Sequence, residues 1–138
     1  MIEKVGVACV LHNRDDIRMV LLGKRSKPDG LGLWVLPGGS MDPGETPGQT
    51  VLRESYEEVD VKFIDAPAQL YFDWNTRQDG TGFLMLYYTA MISKAGVRLK
   101  AAHEFSDLQW FSVDKLPAEM WKEDRDAVER SARYWELP

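Results

Sequence analysis

The stretch Gly38-Gly39-Ser40-Met41-Asp42-Pro43-Gly44-Glu45, with Arg53-Glu54-Ser55-Tyr56-Glu57-Glu58 following it, organises the rest of this chain. It gathers carboxylates and one arginine behind what reads as a glycine turn. Glu54, Glu57 and Glu58 fall at i, i+3 and i+4, so on a helix they share one face. Like charges at that spacing cost roughly a few tenths of a kcal/mol per pair, and no lysine or arginine is expected on that face to offset them. A cation from solution would complete such a cluster. Hard oxygen donors of this kind suit Mg²⁺ or Mn²⁺, and those ions suit phosphate chemistry.

Outward from this stretch, a helix is well punctuated. Thr46 is a good N-cap, Pro47 fits the first helical position and Gln49 can complete a capping box. A step of about 100° per residue places Leu52, Ser55, Tyr56 and Val59 opposite the glutamates. One face should therefore pack and the other present acids, with Asp60 ending the helix.

Before the helix, Val5 to Leu11 is an apolar run without alternation, as in a strand buried on both sides. Asn13 to Asp16 reads as a turn, Met19 to Arg25 as a returning strand, Ser26 to Gly32 as a loop and Leu33 to Leu36 as a short apolar segment. After the helix, Gln69 to Trp74 and Phe83 to Ile92 read as strands, and Asp79-Gly80-Thr81-Gly82 between them predicts a hairpin. Leu108 to Phe111 is a further strand. From Ala118 to Trp135 the pattern turns helical, with Met120, Trp121, Ala127, Val128, Tyr134 and Trp135 as candidate contacts. Strands on both sides of one helix, plus a terminal helix, predict an α/β fold in which a mixed sheet lies between helices, as one domain over residues 1–138.

Composition narrows the function classes. At 138 residues, 44% hydrophobic and 28% charged, the chain is that of an ordinary globular protein. Its net charge of -5 speaks against a broad basic face for nucleic acid, so no nucleic-acid partner is expected. Cys9 is the only cysteine, which rules out an internal disulfide and fits a reducing compartment; its apolar neighbours predict a buried, inert thiol. Met1-Ile2-Glu3-Lys4 does not read as a signal peptide, and no apolar run approaches the ~20 residues that span a bilayer. A cytoplasmic location without a membrane partner is the expectation.

The spacing Gly39, five residues, Glu45, seven residues, Arg53-Glu54, two residues, Glu57-Glu58 resembles the Nudix box, here Gly39 to Val61. The preceding Trp34 to Gly39 also resembles the entry into the box of this MutT-like family. Six positions at fixed spacing are a far more specific signal than a lone glycine loop. Two positions depart from the family's pattern. Ser55 stands where a bulky aliphatic residue is usual, and its hydroxyl can bond back to the preceding turn. Asp60 stands where glycine would adopt the left-handed helix stop.

The resemblance implies an α/β/α sandwich and a hydrolase of nucleoside diphosphates linked to another group. It implies Mg²⁺ as cofactor, with Mn²⁺ possible, held by Glu54, Glu57, Glu58 and the Gly38 carbonyl, one glutamate serving as the base of the attacking water. It leaves open which. Arg53 would orient the acids and Glu45 would hold the loop to the helix, with Gly39 structural. Glu104 would be a late metal ligand and Arg25 a phosphate contact. His103 reads as a loop residue, His12 carries no usable signal, and Trp34, Phe72, Trp74 and Tyr87 read as core before they read as a stacking surface for a base.

On substrate, nothing precedes the first strand, and Thr76 and Gln78 occupy the region of a downstream proline and tyrosine that mark ADP-ribose and dinucleotide enzymes. Gly30 and Leu36 replace residues of the coenzyme A motif. The resemblance therefore favours hydrolysis of a (d)NTP to (d)NMP and pyrophosphate, as a monomer or homodimer. Cleavage of ADP-ribose or a nucleotide sugar is the alternative, and a non-catalytic nucleotide-binding domain is the alternative of another class.

Overall fold

A computed structural model describes residues 2–61, 63, 65–76 and 80–138. The elements run β1 Ile2–Asn13, β2 Asp16–Arg25, β3 Trp34–Val35, β4 Gly38–Ser40, α1 Pro47–Val59, β5 Ala68–Thr76, β6 Gly82–Ile92, β7 Phe105–Ser112 and α2 Lys122–Tyr134. The seven strands form one sheet with the order β3-β2-β1-β6-β5, to which β4 adds by pairing with β1 and β7 by pairing with β2. Among the described residues only the β1–β6 pairing is parallel, from Ile2 opposite Gly82 to Asn13 opposite Ile92. The sheet is therefore mixed, as expected. At the β5–β6 connection, Gln78 and Asp79 lie outside the described residues.

Strand β1 shows why the apolar run does not alternate. Val7, Cys9 and Leu11 pack with Val51 and Val59 of α1, while Ala8 and Val10 pack with Ala127 and Val128 of α2. Each face of the strand meets a different helix, so successive residues are all buried and the sandwich is completed. Cys9 sits in the first of these layers, and burial pushes its thiol pKa up.

Three expectations need correction. Gly38 and Gly39 are not a turn but extended residues of β4, opposite Ala8 and Val7. They are glycines because of crowding: a Cβ on Gly38 would stand 2.1 Å from the Val7 carbonyl oxygen, and one on Gly39 would stand 2.4 Å from the Glu54 carboxyl carbon. Helix α1 is rotated from the expected face, burying Thr50, Val51, Ser55, Glu58 and Val59 while Leu52 and Tyr56 are exposed. Among the described residues the Ser55 hydroxyl makes no bond back to the preceding turn. Helix α2 begins only at Lys122; Ala127 and Val128 are buried as expected, but Trp121 and Tyr134 are exposed.

The other departure from the box is accommodated. Asp60 adopts the left-handed conformation (φ 58°) at the end of α1. Its carboxylate pairs with Arg98 at 2.9 Å and Lys100 at 3.7 Å. Its pKa lies below the usual value, chiefly through the Arg98 hydrogen bond.

Candidate active site

The start of α1 is pinned, which sets the phase of every acid along it. Thr46 accepts from the Gln49 amide at 3.2 Å, and the Gln49 side chain accepts from the Thr46 amide at 2.9 Å, closing the expected capping box. One turn on, Glu45 and Arg53 lock the preceding loop to the helix. The Glu45 carboxylate accepts from Arg53 Nε at 2.7 Å and Nη2 at 3.0 Å, from the Asp42 amide at 2.8 Å and from the Thr50 hydroxyl at 3.0 Å. The Arg53 hydrogen bond above all holds its pKa down, to about 2. Arg53 also donates to the Ser40 carbonyl at 2.9 Å, to Glu54 at 2.9 Å and to Glu57 at 3.3 Å, and it lies 3.3 Å from Asp42. The expectation that no cation offsets the glutamates is thus wrong. Arg53 sits one residue before Glu54 and four before Glu57, and its long fork reaches both.

Arg53 does not reach Glu58. That side chain is only 4% exposed, and its Oε1 accepts one hydrogen bond, from the Gly38 amide at 2.9 Å. Burial first, then the charge of Glu54, push its pKa up to about 9; Glu104 adds to the effect, while the Gly38 amide and Lys27 oppose it. Glu54 is also raised, by burial first and by Glu57 and Glu104, against the pull of Arg53. Its carboxylate lies directly over Gly39. Glu57 is on the exposed flank, with about half of its side chain in solvent.

Glu104 joins these acids from another element. The end of α1 is tied to the following segment: the Glu58 carbonyl accepts from the Lys100 amide at 2.9 Å, and the Ala101 carbonyl accepts from the Glu104 amide at 2.9 Å. This places Glu104, just before β7, where its charge bears on Glu54 and Glu58. Its own partner is Lys27, 2.8 Å away, which sequence reasoning passed over as part of a loop. His103 is largely exposed and lies 3.7 Å from Glu104.

The donor set fits a divalent cation by its chemistry. Four carboxylates bear on one another electrostatically, and burial first, with their mutual repulsion adding to it, raises the pKa values of Glu54 and Glu58. Among the described residues no three His, Cys, Asp or Glu side chains stand close enough together to hold a metal ion, and Arg53, Lys27 and the Gly38 amide each hold a carboxylate oxygen of the cluster.

The other side of β4 opens into a cavity of about 470 Å³. Gly38, Gly39 and Ser40 form one wall; Arg25, Trp121 and Asp124 stand among the lining residues, and the four glutamates do not. Strand β4 thus has acids on one side and a pocket on the other. Asp124 is buried, accepts from the Leu36 amide at 3.1 Å, and burial pushes its pKa up to about 7. Arg25 lies with its guanidinium 5.3 Å from the Trp121 ring and is held by Asp29 through bonds of 3.0 and 2.9 Å. The expected arginine reaches the pocket, paired with an acid. Tyr87 is buried and stacks on Tyr71, with ring centroids 4.7 Å apart, while Phe72 and Trp74 are exposed. Trp34 packs edge-on against Phe111. Trp121 was expected as a core contact and Asp124 was passed over, because the helix start was expected earlier, which hid that the first turn of α2 faces a cavity. His12 is buried in a structural network, bonded to Ser131 and the Ile17 carbonyl at 2.6 Å each.

Comparison with known proteins agrees with this architecture. The profile of the NUDIX domain matches residues 3–131. A MutT NUDIX hydrolase from Burkholderia pseudomallei superimposes with a TM-score of 0.82 at 26% identity, over 92% of this chain and 96% of its own. The NUDIX domain of Shewanella oneidensis NrtR, complexed with ADP ribose, gives 0.81 at 29% identity over 98% and 90%. The RNA pyrophosphohydrolase of Erythrobacter litoralis is 27% identical over 125 residues, covering 78% of this chain and 75% of that protein. Other curated relatives match over 60 residues at 37% identity, and this chain spans about a third (34%) of their length. Among the described residues no helix is long and apolar enough to cross a membrane.

Proposed function

The chain belongs to the NUDIX family, and on that premise we propose that it hydrolyses a nucleoside triphosphate to the monophosphate and pyrophosphate with Mg²⁺, or Mn²⁺ in its place. The observation that carries this reading is the shared wall. The under-compensated acids Glu54 and Glu58 and the 470 Å³ cavity meet at the same two glycines, Gly38 and Gly39. A nucleoside in the cavity would bring its phosphate chain past the strand to the acids.

Hydrolases of this family use divalent metal ions. Glu54, Glu57 and Glu58 would hold the ion, with the Gly38 carbonyl and Glu104 as further ligands. When bound, it supplies charge that offsets the phosphate oxygens and makes a coordinated water a stronger acid. One of the three box glutamates takes the proton of the attacking water. Glu58 carries its own proton near neutral pH while no cation is present, since its pKa stands at about 9. Arg53 fixes Glu54 and Glu57 by hydrogen bonds and so acts as a positioning residue. Arg25 offers a guanidinium to phosphate once Asp29 is displaced, and Trp121 supplies an aromatic face to the base.

A second reading is favoured by one specific likeness: the NrtR domain that matches over 98% of this chain is complexed with ADP ribose. Cleavage of ADP-ribose or a nucleotide sugar would use the same acids. A panel assay with Mg²⁺ separates the two. Pyrophosphatase-coupled phosphate release reveals pyrophosphate from NTPs and dNTPs, and alkaline phosphatase reveals monophosphates from ADP-ribose and nucleotide sugars. A (d)NTP preference that vanishes in Glu58→Gln supports the proposal. Activity confined to ADP-ribose or nucleotide sugars overturns its substrate. Tight nucleotide binding without turnover would leave a binding domain.

A further inference from the structure

Lys27 is a cation beside the acid cluster that neither the box nor the reading above employs. It lies on the loop between β2 and β3, with its Nζ 2.8 Å from Glu104 Oε1. Backbone contacts hold that loop to the Glu104 segment: the Ser26 amide donates to the Glu104 carbonyl at 2.8 Å, and the Ser26 hydroxyl to the His103 carbonyl at 3.2 Å. The two segments that carry the pair are therefore held together by the fold, while the Lys27 side chain itself is half-exposed. The Lys27 charge also reaches Glu58, where it works against the effect of burial. Arg53 is spent on Glu45, Glu54, Glu57 and Asp42, and Arg25 on Asp29. Among the described residues, Lys27 has the Glu104 carboxylate as its one ion-pair partner.

We infer that Lys27 exchanges partners: its ammonium holds Glu104 while the acid cluster lacks a divalent cation, and passes to the phosphate chain of the substrate when the cation takes Glu104. This rests on the reading that Glu104 contributes to the cation site and that the ligand carries phosphates. The physical reason is crowding of charge. An ammonium within hydrogen-bonding distance of a carboxylate repels a divalent ion drawn to the same oxygen. Half-exposed pairs of this kind are weak, and several carboxylates acting together overcome them. The released ammonium sits on a flexible four-carbon stem and is a compact, hydrated point charge. The nearest uncompensated anions are then the phosphate oxygens.

Lys27→Met should change two affinities in opposite directions. Mn²⁺ binding without substrate, followed by isothermal titration calorimetry, should become about threefold tighter, since a competitor of exposed ion-pair strength is gone. Inorganic tripolyphosphate, titrated into the protein at saturating Mn²⁺, should bind about tenfold more weakly, since a charge-assisted contact is lost. Lys27→Arg should restore both, and unchanged melting curves should show that each variant is folded. A lysine with a merely structural role would leave both affinities unchanged or weaken both. Unchanged or weaker Mn²⁺ binding in Lys27→Met overturns the inference while leaving the proposed hydrolase intact. A wild type that takes up no Mn²⁺ overturns the proposed cation site itself.

Discussion

The two ends of α1 treat the same side chain in opposite ways. In the loop just before the N-terminal end, Glu45 accepts four hydrogen bonds and its pKa falls to about 2. At the C-terminal end, Glu58 accepts one, lies among other acids, and rises to about 9. A fold that needed only stability would not keep the second arrangement, because a buried carboxyl with one amide partner is costly beside an apolar residue of the same size. The difference separates scaffold from site: the compensated half fixes the loop, and the under-compensated half awaits charge from outside.

Variants of the two halves should fail in different ways. The largest effect is expected for Glu58→Gln, a loss of turnover of about a thousandfold, or ~4 kcal/mol in the barrier. In the metal-free protein the same change should stabilise the fold. Glu58 has a folded pKa of about 9 against an ordinary glutamate value of 4.5, so the folded state retains a proton that the unfolded chain gives up between those values. Stability is therefore lost as pH rises from 4.5 towards 9, and the gap in favour of Glu58→Gln should open over that window to about 5 kcal/mol at pH 8, at roughly 1.4 kcal/mol per pH unit. Denaturant titration across pH checks it.

Gly38→Ala comes next, at about 3 kcal/mol of stability, because its Cβ would meet backbone of β1 that cannot move aside. Arg53→Ala should cost about 2 kcal/mol, discounted for partial exposure. Its pH dependence should run opposite to that of Glu58→Gln. Glu45 is depressed, so the Arg53 contribution is present above about pH 4.5 and fades as pH falls from there towards 2. Gly39→Ala should leave melting nearly unchanged and weaken Mg²⁺ or Mn²⁺ binding about tenfold, since its Cβ meets the Glu54 carboxylate rather than backbone. Asp60→Gly should change stability least, by under about 0.5 kcal/mol: relief of the left-handed strain is offset by the lost pairs with Arg98 and Lys100.

Local signals in the sequence carried most of the architecture. The unbroken apolar run of β1 announced a strand covered on both faces, and Thr46, Pro47 and Gln49 announced the start of α1. What could not be read depended on long-range pairing. Gly38 and Gly39 look like a turn to any local rule, yet β1 makes them a strand. The helical period placed Leu52 and Tyr56 inside with Ser55 and Val59; Ser55 and Val59 are buried, but Thr50, Val51 and Glu58 join them in place of Leu52 and Tyr56, and Glu58 there accepts from the Gly38 amide. Lys27 and Asp124 are separated from the box by loops and carry no spacing signal; only the packing of loop 26–33 and α2 beside β4 brings them to the acids and the cavity.

The most direct measurement is a ¹³C-detected titration of the glutamate carboxylates in the metal-free protein, with Glu45 and Glu58 assigned by substitution. Glu45 should titrate near 2 and Glu58 near 9, and added Mg²⁺ should ionise Glu58 at neutral pH without moving Glu45. A Glu58 that titrates near 4.5, or stays protonated at neutral pH with Mg²⁺ saturating, would contradict the division of the helix into a compensated scaffold and a site that awaits a cation.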